Sequence, residues 1–290
     1  MSLQTLIPIV LQVSLLLSVF AIGLKASVED ATYLFRRPGE LVRAILAMNV
    51  LMPLFAVAVV LLFDLNQAVK IALVALSVSP IPPLLPKKIV KEGGTDSYGI
   101  GLLIAAGLLA IIFVPLSMEI LKRAFNVPLQ MTMASVATLV FITILLPIAL
   151  GVVVHSFAPA LAERLVKPIS LVAGIGLLAA LLAILFSAAP AIWALIGNGT
   201  GIALAAFVLV GLAIGHFLGG PKSENRTALA ISTSTRHPGV AIAIAAANFP
   251  EQKLATAAVL LYLIVGGVAS IPYLKWIKGR QADVENRLKA

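Results

Sequence analysis

The most unusual residue of the sequence is a charged side chain inside an apolar stretch. Arg236 follows the polar run 232–235 and precedes His237, with mostly Ala, Ile and Val on either side. A guanidinium presents five donors in a planar fork that suits carboxylates, and a charge at the centre of a bilayer costs about 3 kcal/mol or more. An intramembrane charge is functional by default, so we expect Arg236 to bind a carboxylate substrate or to act as a built-in cation in place of a metal ion. A purely structural pairing with backbone carbonyls is the alternative.

Other polar groups and helix-breaking prolines accompany this arginine. The four hydroxyl side chains of 232–235 can bond their own helix carbonyls or face a cavity, and their number in so apolar a stretch favours the cavity. His237 can titrate near neutral pH, but a neighbouring guanidinium favours its neutral form and a structural role. The residues predicted to line a substrate site are Arg236, His237, Ser232, Thr233, Thr235, Pro80, Pro82 and Lys87.

Residue sets typical of enzymes and metal sites are missing from the sequence. All twelve Asp and Glu residues fall in loops or near the ends of apolar stretches, and there is no cysteine. No His-x-x-x-His or Glu-x-x-His spacing is present for a metal ion. We therefore expect neither an enzyme nor a cofactor. The expected partner is a small organic anion, because the guanidinium of Arg236 suits a carboxylate.

The composition requires a membrane. Of 290 residues, 61% are hydrophobic and 11% charged, with a mean hydropathy of +1.09, whereas soluble domains carry about 25% charged residues. Lipid is then the surrounding partner, and the net charge of +9 reflects topology rather than nucleic-acid binding. At roughly 20 apolar residues per crossing, the sequence predicts an all-α polytopic membrane protein. About nine spans are expected, at 5–24, 41–63, 67–93, 98–121, 131–155, 167–189, 199–219, 224–249 and 254–274.

The basic residues predict how the chain is oriented. Lys and Arg accumulate in cytoplasmic loops. With the N-terminus outside, sixteen of the 21 basic residues lie in inner loops and four in outer loops, and Arg236 lies within a span. We expect a multi-pass protein of the plasma (inner) membrane with a cytoplasmic C-terminus. Because the first stretch lacks a basic start and a small-residue cleavage site, it reads as a retained helix rather than a signal peptide.

Two of the predicted spans cannot be continuous helices. Span three has four prolines within positions 80–86, and span eight has Pro238-Gly239 directly after its polar run. Proline removes an amide donor and clashes with the preceding turn, and irregular backbone at membrane depth survives only against protein or a water-filled cavity. We expect the two breaks to face each other or a cavity. Their separation of five spans is typical of an inverted repeat whose first helix is missing.

The order of several short motifs resembles the bile acid:sodium symporter family, in its nine-helix form. The resemblance implies a panel domain, two crossing broken helices in a core domain, and alternating access. Within the single transmembrane domain 1–290, we expect the panel at 5–24 and 131–155 and the core at 41–121 and 167–274. The motifs are Arg36 to Pro38, Met52-Pro53-Leu54, Ser79-Pro80, Leu145-Leu146-Pro147-Ile148 with Gly151 and His155, Ala228 to Ile231, Gly239-Val240-Ala241, and Ala246 to Phe249.

The sequence departs from this family where the family binds two sodium ions. Ser232 stands where the family has a carboxylate, and Arg236-His237 stand where it has a Gln-Asn pair. Where the family has a Ser-Asn pair, this chain has Leu85-Pro86, followed by Lys87. The family's hydroxyl-bearing helix reads 102–107, which has no hydroxyl. Because sodium needs an oxygen cage, we expect both sites to be lost and transport of a bile-acid-like or small carboxylate to be sodium-independent. A sodium-coupled symporter with unrecognised ligands and a membrane ligand sensor are the alternatives.

Overall fold

The computed structural model describes residues 3–125 and 132–289, and every regular element in those ranges is helical. The predicted all-α class is confirmed. The first half of the chain begins with a long helix, continues through an interrupted segment, and ends with another long helix. Its elements are α1 (Leu3–Gly23), α2 (Val28–Thr32), α3 (Pro38–Ile45), a π-helical segment (Leu46–Leu51), α4 (Met52–Leu62), α5 (Gln67–Val78), α6 (Leu85–Lys91) and α7 (Asp96–Phe125).

The second half repeats this mixture of long and interrupted helices. Each half has one π-helical segment directly before a proline-containing pair. The pair is Met52-Pro53 in the first half and Leu146-Pro147 in the second. The start of the predicted span 131–155 lies outside the described residues. The elements are α8 (Met133–Val140), the π-helical segment Phe141–Leu145, α9 (Leu146–Phe157), α10 (Pro159–Trp193), α11 (Thr200–Leu218), α12 (Ser223–Ser234), α13 (Pro238–Asn248) and α14 (Leu254–Lys289).

The protein is an integral, multi-pass membrane protein. Seven helical stretches of the described chain are long and apolar enough to cross a bilayer. Large apolar side chains such as Leu62, Phe186 and Phe217 are more than three-quarters exposed, as expected where lipid covers the surface. The two remaining apolar segments are the interrupted pairs α5–α6 and α12–α13, so a total of nine crossings stays a prediction. The span predicted at 167–189 lies within α10, which is continuous from Pro159 to Trp193 and extends beyond it at both ends.

Both predicted interruptions are confirmed. The first broken helix ends at Val78 and resumes at Leu85, and the second ends at Ser234 and resumes at Pro238. The prolines explain both ends, because they cannot donate to the preceding turn but are tolerated in the first turn of a new helix. Each break therefore leaves the end of a half-helix inside the protein.

Close helix packing fixes the second broken helix against its neighbour. α12 packs along α11, and a Cβ added at Gly211 of α11 would lie 2.8 Å from the Cα of Ser234. Only glycine permits this approach, because such a Cβ contact is too short. The end of α12 is thus held directly beside the middle of α11.

Candidate functional site

The two interruptions meet at a crossing point. The N–H of His237 donates to the carbonyl of Pro80 at 2.8 Å, so the two irregular segments are hydrogen-bonded to each other. The expectation that the two breaks face each other is confirmed. Non-helical backbone is thereby kept surrounded by protein, as membrane-depth backbone requires.

Arg236 lies in this crossing with only 1% of its surface exposed. Its Nη1 donates to the carbonyl of Ser79 at 3.3 Å, and its Nη2 donates to the carbonyl of Met48 at 2.5 Å. Its Nε has no hydrogen-bond partner among the described residues. The guanidinium therefore ties the first break and the π-helical segment Leu46–Leu51 to the second break through backbone oxygens.

Prolines explain why these two carbonyls are free to accept. The carbonyl of Ser79 would receive the N–H of residue 82 or 83 if α5 continued, and both are prolines. In the π-helical segment the N–H of Met52 donates five residues back, to Ala47. The next donor in that register would be residue 53, which is again a proline, so the carbonyl of Met48 lacks a helix partner. A buried carbonyl without a partner is costly, and the guanidinium supplies both missing bonds.

The arginine also lies at the negative ends of helices. Ser79 directly follows α5, and Arg236 follows α12 by two residues. Helix C-termini carry partial negative charge that stabilises a cation. No carboxylate lies beside the Arg236 guanidinium in the described part of the crossing. The two helix ends therefore partly compensate its positive charge.

Tyr262 of α14 holds the second break together. Its hydroxyl accepts from the N–H of Arg236 at 2.9 Å and donates to the carbonyl of Ser234 at 2.7 Å. The ring packs edge-to-face on Phe207, with centroids 5.9 Å apart. One side chain thereby satisfies a donor and an acceptor that the interruption of the helix would otherwise leave unpaired.

The hydroxyls before Arg236 are bonded within their own helix. Ser232 donates to the carbonyl of Ala228 and Thr233 to that of Leu229, both at 2.7 Å, and both residues are fully buried. The expectation that this run faces a cavity is therefore corrected for these residues, because α12 packs on α11 and leaves the hydroxyls only helix carbonyls to reach. Thr235, at the break itself, is partly exposed.

The remaining predicted site residues divide between the crossing and a more distant position. His237 caps α13, with its ring nitrogen accepting from the N–H of Val240 at 3.3 Å. The carbonyl of Pro82 accepts from Leu85 as α6 begins. Lys87 lies on α6 and contacts Ser170 of α10 at 3.5 Å. Arg236, His237 and Pro80 are thus brought together, and Lys87 belongs to another surface.

Sequence reasoning missed two elements of the crossing. Tyr262 lies 26 residues from Arg236 and gives no local pattern, and the Met48 carbonyl is a backbone group that side-chain identity does not report. Pro53 was a usable signal, because a proline inside a helix marks a carbonyl without a donor. A small cavity beside the guanidinium is lined mainly by apolar residues, with Asn49, Ser77 and Ser117 among its polar ones.

Comparison with known proteins identifies the family of the chain. A model of the sodium bile acid symporter family matches residues 12–195, more than half of the chain. The chain belongs to that family. It is therefore a membrane transporter, as the motif order predicted. A search of curated proteins finds no match, and the segment with Arg236 lies beyond the matched residues.

Proposed function

We propose that this transporter carries an organic anion, bile-acid-like or a small carboxylate, without sodium coupling, and that Arg236 takes the place of a bound cation. The observation that carries the proposal is the pair of bonds from the buried guanidinium to the carbonyls of Ser79 and Met48. In many secondary transporters, freed carbonyls and half-helix C-terminal ends at such interruptions coordinate the coupling ion. Here a covalently attached cation uses the same kind of oxygen.

The charge at the crossing supports sodium independence. A fixed guanidinium repels a sodium ion nearby, since two unit charges about 4 Å apart interact by roughly 4 kcal/mol at an effective dielectric constant of about 20. It also occupies backbone oxygens that an ion would need. The hydroxyls of Ser232 and Thr233, which could have been ligands, are used within α12.

Helix packing supports a revised panel. α10 packs along α1 and α9, so we propose that the panel contains α1, α8–α9 and α10, rather than the spans 5–24 and 131–155 alone. The core then contains both broken helices and the helices around them. Movement of the panel against the core gives alternating access. The protein lies in the plasma membrane, with its N-terminus outside and its C-terminus in the cytoplasm.

Flux into liposomes tests the transport proposal. Purified protein reconstituted into liposomes should take up radiolabelled taurocholate, cholate or benzoate faster than protein-free liposomes. Binding of these anions without flux would identify a sensor instead of a carrier.

The role of Arg236 is tested by Arg236→Gln and Arg236→Lys in the same assay. Arg236→Lys keeps the charge and one or more donors, so it should retain more uptake than Arg236→Gln, which we expect to lose at least about tenfold, the effect of roughly 1.4 kcal/mol. Size-exclusion profiles and melting temperatures identify variants that fail to fold. A folded Arg236→Gln protein with the original uptake rate would contradict the proposal.

A further inference from the structure

A second cationic cluster lies where α6 approaches α1 and α10. The ammonium of Lys87 on α6 contacts the hydroxyl of Ser170 on α10 at 3.5 Å. Lys25 follows Leu24, which packs in one cluster with Val166 and Ile169 of α10, the turn before Ser170. Lys25 is therefore held beside Ser170, and its charge acts on Lys87. Three separate parts of the chain therefore contribute polar groups to one place. Two of these groups, the ammonium groups of Lys25 and Lys87, are positively charged.

These two lysines are not neutralised by carboxylates. Among the residues that the structure describes, neither Lys25 nor Lys87 has an Asp or Glu oxygen within ion-pair distance. The acid nearest along the chain to Lys87, Glu92, pairs with Lys278 at 3.0 Å. Two like charges held near each other repel, and an anion between them is attracted to both. The cluster is thus suited to an anion.

The crossing is not suited to direct substrate recognition in this conformation. Arg236 is buried, and its two terminal nitrogens donate to backbone oxygens. Lys87 and Lys25 are both exposed. Recognition of a substrate charge therefore falls to the accessible lysines, and lysine ammonium groups accept anions without a strict geometry.

We propose that the anionic group of the transported substrate binds between Lys25 and Lys87, with the Ser170 hydroxyl as a third donor. This inference rests on the proposed transport of organic anions and identifies where their charge is read. The site takes a carboxylate or sulfonate. It joins α1 and α10 of the proposed panel to α6 of the core, so relative movement of these units would assemble or separate its donors, on the side that we place in the cytoplasm.

The test measures binding and transport in the same variants. Protein in phosphatidylcholine nanodiscs is titrated with radiolabelled taurocholate, cholate and benzoate, and uptake is measured in liposomes of the same lipid. Lys25→Gln and Lys87→Gln should each weaken binding about five- to tenfold, in line with a charge-assisted hydrogen bond in a partly exposed site. The double variant should weaken it more, and Lys222→Gln, an exposed lysine elsewhere, should not change it.

The outcomes separate this inference from the proposed function. Uptake that is unaffected by both lysine variants would overturn the site and leave the transport proposal standing. Binding that depends on Lys25 and Lys87, with no flux, would support the site and contradict transport. If none of the three anions binds, the site is overturned.

A lipid headgroup could offer similar chemistry, and a second lipid composition distinguishes it. Adding phosphatidylglycerol to the nanodiscs should leave the affinity for taurocholate unchanged. If phosphatidylglycerol weakens taurocholate binding to the original protein but not to Lys87→Gln, the lysines bind lipid headgroups. That result would overturn the proposal.

Discussion

Replacing Tyr262 by Phe tests whether a single hydroxyl holds the second broken helix together. The change keeps the ring and its packing on Phe207 and removes only the oxygen that bonds the N–H of Arg236 and the carbonyl of Ser234. Each buried group left unpaired costs about 1–3 kcal/mol, whereas hydrogen bonds between membrane helices average only about 0.6 kcal/mol. Between these bounds, we expect the free energy of unfolding to fall by about 2 kcal/mol for the two groups.

The assay is unfolding in sodium dodecyl sulfate, followed by circular dichroism. Tyr98→Phe is the matched control, because this ring is also buried and packs on Tyr33, while its hydroxyl makes no hydrogen bond to the described part of the chain. The control should change the unfolding free energy by less than about 0.5 kcal/mol, as substitutions that break no specific interaction do. Equal losses in both variants, or no loss in Tyr262→Phe, would refute the bridging role.

Two further changes test the packing and the electrostatics of the fold. Gly211→Ala places a Cβ 2.8 Å from the Cα of Ser234 and should lower the free energy of unfolding by about 1–3 kcal/mol through overpacking. The control Gly267→Ala has open space around it and should be neutral or stabilising. Equal melting temperatures of the two variants would contradict this packing. Burial raises the pKa of Asp30, but hydrogen bonds, including one from Ser97, outweigh it and lower the pKa. The stabilisation is present above the ordinary carboxyl pKa and lost as the pH falls through the lowered one, so Asp30→Asn should flatten the acid side of a melting-temperature profile, and an unchanged profile would argue against it.

The sequence was sufficient to predict the broken helices. The prolines at 80–86 and at position 238 have a fixed φ and no N–H to donate, so each end of a helix follows from local chemistry. The unusual position of Arg236 also followed from the sequence, because a charge amid apolar residues is costly wherever the neighbouring helices lie.

The partners of Arg236 could not be predicted in the same way. The carbonyls that it binds belong to every residue type, and only the three-dimensional crossing determines which of them come within reach. The hydroxyls of Ser232 and Thr233 show the same limit. Their spacing allowed either a cavity or their own helix, and the choice depended on how closely α12 packs against α11.

The central claim is that a fixed arginine replaces the coupling ion, and sodium replacement tests it most directly. The measurement is the initial rate of taurocholate uptake into proteoliposomes as external sodium is replaced by choline at constant ionic strength. We predict the same rate in both solutions, because Arg236 already occupies the carbonyl oxygens of Ser79 and Met48. Loss of uptake in choline, restored when sodium is returned, would contradict it.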